Sequence, residues 1–217
     1  MKRGGVLLYG AGQLGIMLLA RFYFQWVLRF SEVGKGSAAG PLLLVSTVGL
    51  IVLGFRFVDA VADPLIGAFS DSWVTRGRQR RSLIWISFLL PPLGLALAFA
   101  PHADMAAALR WTLFSAGTFL FFVGYTLYAI PYWSLVEDYS RGDEKTRTSL
   151  SNALGVGLLL ATAIGFVVSP LLIEKTNFWI AAVIFALVGI PLLVLPYFAH
   201  PEHLGSETHP EPPPLGR

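Results

Sequence analysis

The 217-residue chain has no cysteine and little charge. Without cysteine there are no disulfides and no thiolate metal sites, and nothing follows about redox compartment. Only 13% of the residues are Asp, Glu, Lys or Arg, about half of the roughly 25% usual in soluble domains. A soluble protein of this size needs a polar exterior that this composition cannot supply. The four histidines (His102, His200, His203 and His209) fall outside the long apolar stretches, so no histidine metal centre is expected. The net charge of +3 is small and scattered, which argues against a nucleic-acid partner. What abounds is apolar: 55% of the residues are hydrophobic and the mean hydropathy is +0.65. Lipid is the expected solvent for most of the surface.

A window of about nineteen residues marks six apolar stretches, at 6–30, 41–69, 82–100, 108–135, 150–172 and 178–199. Each can supply the ~20 helical residues that cross a bilayer. The expected fold is an all-α membrane protein with six transmembrane helices in residues 1–199, followed by a disordered cytoplasmic tail at 200–217. An even number of crossings puts both termini on one side. That side receives Lys2, Arg3, Arg76, Arg78, Arg80, Arg81, Arg141, Lys145, Arg147 and Arg217, whereas the opposite loops carry Lys35, Arg110 and Lys175. This bias assigns the termini and the 70–82 and 136–149 loops to the cytoplasmic face of the cell (inner or plasma) membrane. The first span lacks a small-residue cleavage site, so it is expected to be a retained helix.

One motif competes with this reading. The stretch VLLYGAGQLGIMLL (Val6–Leu19) contains G-x-G-x-x-G, and Glu32 lies about twenty residues on, where a dinucleotide-binding turn places its ribose acid. A soluble dinucleotide enzyme would continue with alternating strands and amphipathic helices; here apolar spans follow one another. Gly10, Gly12 and Gly15 are therefore expected on a membrane helix, where small residues permit close packing. No enzymatic activity, catalytic residue or cofactor is expected.

Ionisable residues within spans are costly and mark function. Arg21 lies in the first span; Arg56, Asp59 and Asp63 lie in the second. Asp59 and Asp63 are spaced i,i+4, so they share one helix face. Two such carboxylates need neutralising by a proton, a small cation or Arg56. Oxygen ligands of this kind suit Na⁺ or H⁺ as a coupling cation. The competing reading is an Arg–Asp pair that ties helices together, but one Arg cannot neutralise two acids. A second pattern repeats: Pro64 and Pro131 are each followed seven residues later by an Asp, Asp71 and Asp138, at the start of a charged loop. Three spans plus three is the plan of one half of a major facilitator transporter, a 3+3 inverted repeat.

These residues resemble a known family. RFVDAVADPLIG (Arg56–Gly67) is similar to the helix-two motif of the glycoside–pentoside–hexuronide:cation symporters, of which the melibiose permeases are members. Gly67, Asp71 and RGRQRR (Arg76–Arg81) resemble the superfamily's cytoplasmic gating motif. YTLYAIPYWSL (Tyr125–Leu135) resembles the family's helix-four stretch, and YGAG (Tyr9–Gly12) the start of its first helix. The resemblance implies a cation-coupled carrier of a small solute by alternating access. It implies that Asp59, Asp63 and Thr126 bind the cation, and that Trp133 stacks on a sugar ring. Trp133 can equally be read as an interfacial anchor. Gln13, Arg56 and Tyr125 are further candidate substrate-binding residues. The gate candidates are Asp71, Arg76, Arg78, Arg80 and Arg81, with Asp138, Arg141 and Arg147 in the equivalent loop.

Two positions depart from the family. The acids that hold a galactoside in the melibiose permeases align with Met17 and Ala129, which implies a different sugar or a more amphipathic solute. The family also has two six-helix halves with the substrate between them, and six spans are present here. The expected partner is a second six-helix half, on a separate chain or in a second copy. The alternative is a truncated, non-transporting membrane protein.

Overall fold

A computed structural model describes residues 2–35 and 40–199. The helices are α1 (Arg3–Ser31), α2 (Val45–Thr75), α3 (Ser82–Ser87), α4 (Leu90–Ala98), α5 (Ala107–Ser140), α6 (Glu144–Lys175) and α7 (Phe178–Val194), the last continued by a 3₁₀ turn at Leu195–Phe198. No strand occurs among the described residues. Five helical segments are long and apolar enough to cross a membrane, and α3 with α4 makes a shorter sixth. The tail expected at 200–217 lies outside the described residues.

The third span differs from the expected continuous helix at 82–100: it breaks at Phe88 and Leu89. The cause is Pro91-Pro92. Neither ring nitrogen can donate to the carbonyls of Ser87 and Phe88, so the helix ends and restarts. The hydroxyl of Ser87 turns back onto the carbonyl of Leu83 at 2.8 Å.

The packing is symmetric under exchange of the first three spans with the last three. α1 lies against α6 and α7; correspondingly, α5 lies against α2 and α4, and α4 meets α7. Because three is odd, the second triplet runs opposite to the first, which makes the repeat inverted. The tightest seam is α4 on α5, an antiparallel zipper of small residues. A Cβ on Gly94 would stand 2.2 Å from the backbone nitrogen of Phe121, and one on Gly117 2.2 Å from that of Ala98. A third contact sets Gly124 against Leu90. The backbones themselves touch, so a side chain has no room to move aside.

The G-x-G-x-x-G stretch lies within α1, an unbroken helix, which excludes the strand-to-helix turn of a dinucleotide fold. Its three glycines each admit a close neighbour. Gly10 meets Ala153 of α6, Gly12 meets Pro196, Tyr128 and Tyr132, and Gly15 meets Leu192 of α7. Around them, buried phenols reach backbone oxygens across the bundle. Tyr9 donates to the Tyr132 carbonyl at 3.0 Å, Tyr132 to the Tyr9 carbonyl at 2.6 Å, and Tyr128 to the Leu193 carbonyl at 2.9 Å.

α6 begins at an Asp143 cap. Its carboxylate accepts from the Thr146 hydroxyl at 2.6 Å and from the amides of Lys145 and Thr146 at 3.2 and 3.3 Å. The Thr146 hydroxyl first, and then these amides, hold the carboxyl below its ordinary range.

Two outcomes follow. Gly117→Ala is expected to lower stability by about 1–3 kcal/mol or to abolish folding, whereas Gly54→Ala, with open space around it, is tolerated. Thermal unfolding and gel filtration in detergent read the difference; equal behaviour of the two variants contradicts the zipper. For the cap, the pKa is depressed in the folded state, so its stabilisation is present at neutral pH and lost as pH falls through the folded value. Exchange protection of the Lys145 and Thr146 amides should therefore be weak in Asp143→Ala at pH 7. The wild type should approach the variant only on acidification below the carboxylate range.

Candidate functional site

α2 has an uncovered face. Its buried residues are Val48 and Ser70, near its two ends, while Leu50, Leu53, Phe57, Val58, Val61 and Leu65 between them are exposed. The charges sit in this middle stretch. Asp59 turns into the seam with α5, where the Thr126 hydroxyl donates to its Oδ1 at 3.2 Å. Its side chain is 14% exposed. Asp63, one turn on, stays on the open face and takes part in no hydrogen bond or ion pair among the described residues.

Arg56 stands beside Asp59 on the same helix, with Nη1 3.9 Å from Oδ2. That pair joins no two helices, contrary to the helix-tie reading. Arg56 instead lays its guanidinium over Phe24 of α1 at 4.2 Å and near the Phe122 ring of α5 at 5.5 Å. Such cation–π contacts hold the charge without a carboxylate. Asp59, Thr126 and Arg56 thus come together at one place where α1, α2 and α5 meet.

The other three substrate candidates, Gln13 of α1 and Tyr125 and Trp133 of α5, lie together. Trp133 donates its indole N–H to the Gln13 Oε1 at 2.8 Å, and Tyr125 sits edge-on to Trp133 with ring centroids 6.4 Å apart. Gln13 is buried, so Trp133 is oriented by a polar partner inside the bundle. Of the two departures from the family, Ala129 is buried and Met17 packs partly buried against the core.

At the arginine-rich end, one residue gathers the charges. Arg80 donates through Nε to Asp138 at 3.0 Å and through Nη1 to Asp71 and Ser70, each at 2.9 Å. It is 11% exposed, and it links the end of α2 to the end of α5. Arg78 and Arg81 have other partners. Arg78 lies over the Trp73 ring at 4.3 Å; Arg81 donates to Gln79 at 2.6 Å and lies 5.4 Å from the Tyr197 ring. Arg147 pairs with Glu137 at 3.4 Å in an exposed bridge. Arg76 caps the exposed end of α2, and Arg141 ends α5 in the left-handed region at φ 43°. Sequence reasoning missed Ser70, Phe24 and Phe122. A serine at a span end and aromatic residues in an apolar run carry no signal until tertiary contacts place them.

Residues 8–214 match the family described as MFS/sugar transport protein. The chain is 30% identical to an uncharacterised symporter of Synechocystis sp. over 160 residues, 70% of its own length. That match spans 28% of the relative, so the chain corresponds to under a third of it. No solved structure matches. A helical bundle with an inverted repeat, matched over nearly its whole length, therefore belongs to the sugar-transport family of the major facilitator superfamily, a family of membrane transporters and not of enzymes.

Proposed function

We propose that this chain is a six-helix half of a cation-coupled symporter, of the glycoside–pentoside–hexuronide:cation kind, with its arginine-rich end in the cytoplasm. The observation that carries the reading is the Asp59–Thr126 contact in the α2–α5 seam, with Asp63 one turn away and uncovered. Two carboxylates and a hydroxyl offer the oxygen donors that Na⁺ takes, and either acid can take H⁺. Arg56, spread over two ring faces and 3.9 Å from Asp59, leaves the acid pair short of one positive charge. A cation supplies it, and its binding favours the solute-binding state to the same degree that solute favours cation binding. Gln13, Trp133 and Tyr125 line the solute's side: a ring face for a sugar or an amphipathic body, and an amide for hydroxyls. Met17 and Ala129, in place of acids, turn the preference away from galactosides.

The uncovered charge on α2 calls for an opposite wall, since a bare charge at mid-bilayer costs at least ~2.5–3.5 kcal/mol. We assign that wall to a second six-helix half on a separate chain, because a shared site needs different residues from its two sides. A non-transporting scaffold would keep the same helices without needing cation-dependent uptake, and the following measurement separates the two.

Labelled-glycoside uptake into vesicles should depend on a Na⁺, Li⁺ or proton gradient. Asp59→Asn and Asp63→Asn should each abolish that dependence, and Thr126→Val should weaken cation affinity about three- to tenfold. Cation dependence that is unchanged in both Asp variants defeats the coupling.

In the clamp, Asp71 is 70% exposed and Asp138 34%, so solvent screens the first more strongly. Asp138→Asn should therefore speed labelling of a cysteine introduced at buried Leu135 more than Asp71→Asn does, with the latter effect about fivefold or less. Labelling at the wild-type rate in both variants would remove the gate from the mechanism.

A further inference from the structure

The arginines that the clamp leaves aside point to a second site. Where the end of α5 meets the loop after α2, an open-mouthed cavity of about 400 Å³ is lined by Arg78, Arg80, Arg81 and Arg141, with Asp138 the only carboxylate and Tyr139 the only phenol among its lining residues. Asp138 is taken by Arg80. Among the described residues, Arg78 and Arg81 have neutral partners: the Trp73 ring for one, the Gln79 amide and the Tyr197 ring for the other. Tyr139 is buried, and its hydroxyl has no hydrogen-bond partner among the described residues. Buried hydroxyls are nearly always paired.

This donor set has a chemical meaning. Two guanidiniums with N–H groups to spare and one orphan hydroxyl offer donors and ask for an acceptor that carries negative charge. A neutral sugar cannot answer both cations. A carboxylate brings two oxygens, fewer than the groups that converge. A phosphate group brings at least three oxygens that accept in different directions, and it matches the planar fork of arginine. The volume leaves room for the phosphate and a small substituent.

We propose that this cavity binds a phosphate-bearing anion through Arg78, Arg81 and the Tyr139 hydroxyl. The phosphate can belong to a lipid headgroup or to a soluble phosphate. Both share the recognition chemistry and differ in what the mouth of the cavity must admit.

Calorimetric titration of the full chain in delipidated detergent tests it with two probes. One is inorganic phosphate, against chloride at matched ionic strength. The other is dihexanoyl phosphatidic acid, against dihexanoylglycerol, which differs by the phosphate alone. Saturable binding of phosphate identifies a soluble ligand; saturable binding of the phosphatidic acid alone identifies a headgroup. In either case Arg78→Gln and Arg81→Gln should each weaken binding about tenfold or more, and Arg3→Gln should leave it unchanged. Tyr139→Phe, which keeps the ring and removes only the hydroxyl, should weaken it about threefold or more. Elution volume and helical circular dichroism establish that each variant is folded. Binding of neither probe overturns the proposal, as does affinity unchanged in the two Arg variants or dihexanoylglycerol binding as well as its phosphate. No uptake is measured, so this result stands or falls apart from the transport reading.

Discussion

Inside a bilayer there is no water to finish a hydrogen bond, and that constraint organises this molecule. Every backbone and side-chain polar group within the spans must find its partner in the protein. Helices answer for the backbone. Side chains answer locally where they can: Ser87 bonds the Leu83 carbonyl, Thr162 that of Leu158, and Ser169 that of Gly165. Where they cannot, they become cross-links. Tyr9 and Tyr132 exchange hydroxyl-to-carbonyl bonds while their rings stack at 4.7 Å, so one contact joins α1 to α5 through both polar and apolar surface. Tyr23 does the same work further along, with its hydroxyl on Thr118 and its ring on Phe121 at 4.6 Å.

The same constraint separates structural polar groups from the rest. The phenols that cross-link the helices are satisfied: Tyr9, Tyr23, Tyr128 and Tyr132 each donate a hydrogen bond. Asp63 is not so satisfied, and Asp59 is met by one hydroxyl and a distant guanidinium. A chain that pairs these four phenols leaves its acids short of partners on the helix with the least buried middle. That contrast, within one molecule, is what makes structural glue a poor account of the two carboxylates.

Much of the fold was legible because hydropathy over about twenty residues is a robust quantity, insensitive to any one residue. The break at Phe88 escaped for the same reason: a long window averages across Pro91-Pro92, although the missing N–H groups are plain in the sequence. The G-x-G-x-x-G stretch shows the reverse failure. A short motif records only that three positions must be small, and close helix packing requires that as strictly as a phosphate turn does. At the candidate site, Asp59 and Asp63 were legible because charge in a span is expensive. Arg80 was not distinguishable from its neighbours. RGRQRR offers four arginines of equal chemistry, and what selects one is Asp138, 58 residues further along the chain. Phe24 and Phe122 were invisible in the same way, since a ring that carries a guanidinium differs from a core ring only by what lies over it.

The repeat supplies a symmetric scaffold on which the chemistry is not symmetric. α6 corresponds to α2, but α6 is fastened to α1 along its length, with a Cβ on Gly157 standing 2.9 Å from the Gly10 carbonyl oxygen. On α2, Gly49, Gly54 and Gly67 face open space. That helix is held at its ends, by buried Val48 at one and by Ser70 and Asp71 on Arg80 at the other, and along its middle through Phe55, Arg56 and Asp59 on one side. Between the ends lie Arg56, Asp59 and Asp63. Packing energy resists displacement in proportion to the contacts that must be broken, so the charged middle of α2 meets less resistance than the same stretch of α6. On the proposed reading, neutralising the acid pair changes the electrostatic energy of the long helix whose middle is least buried. On the same reading, a clamp at one end converts that local change into a choice between two states of the bundle, one with the Arg80 contacts made and one with them broken. Coupling needs both parts: a charge whose partner comes and goes, and a bistable contact for it to bias.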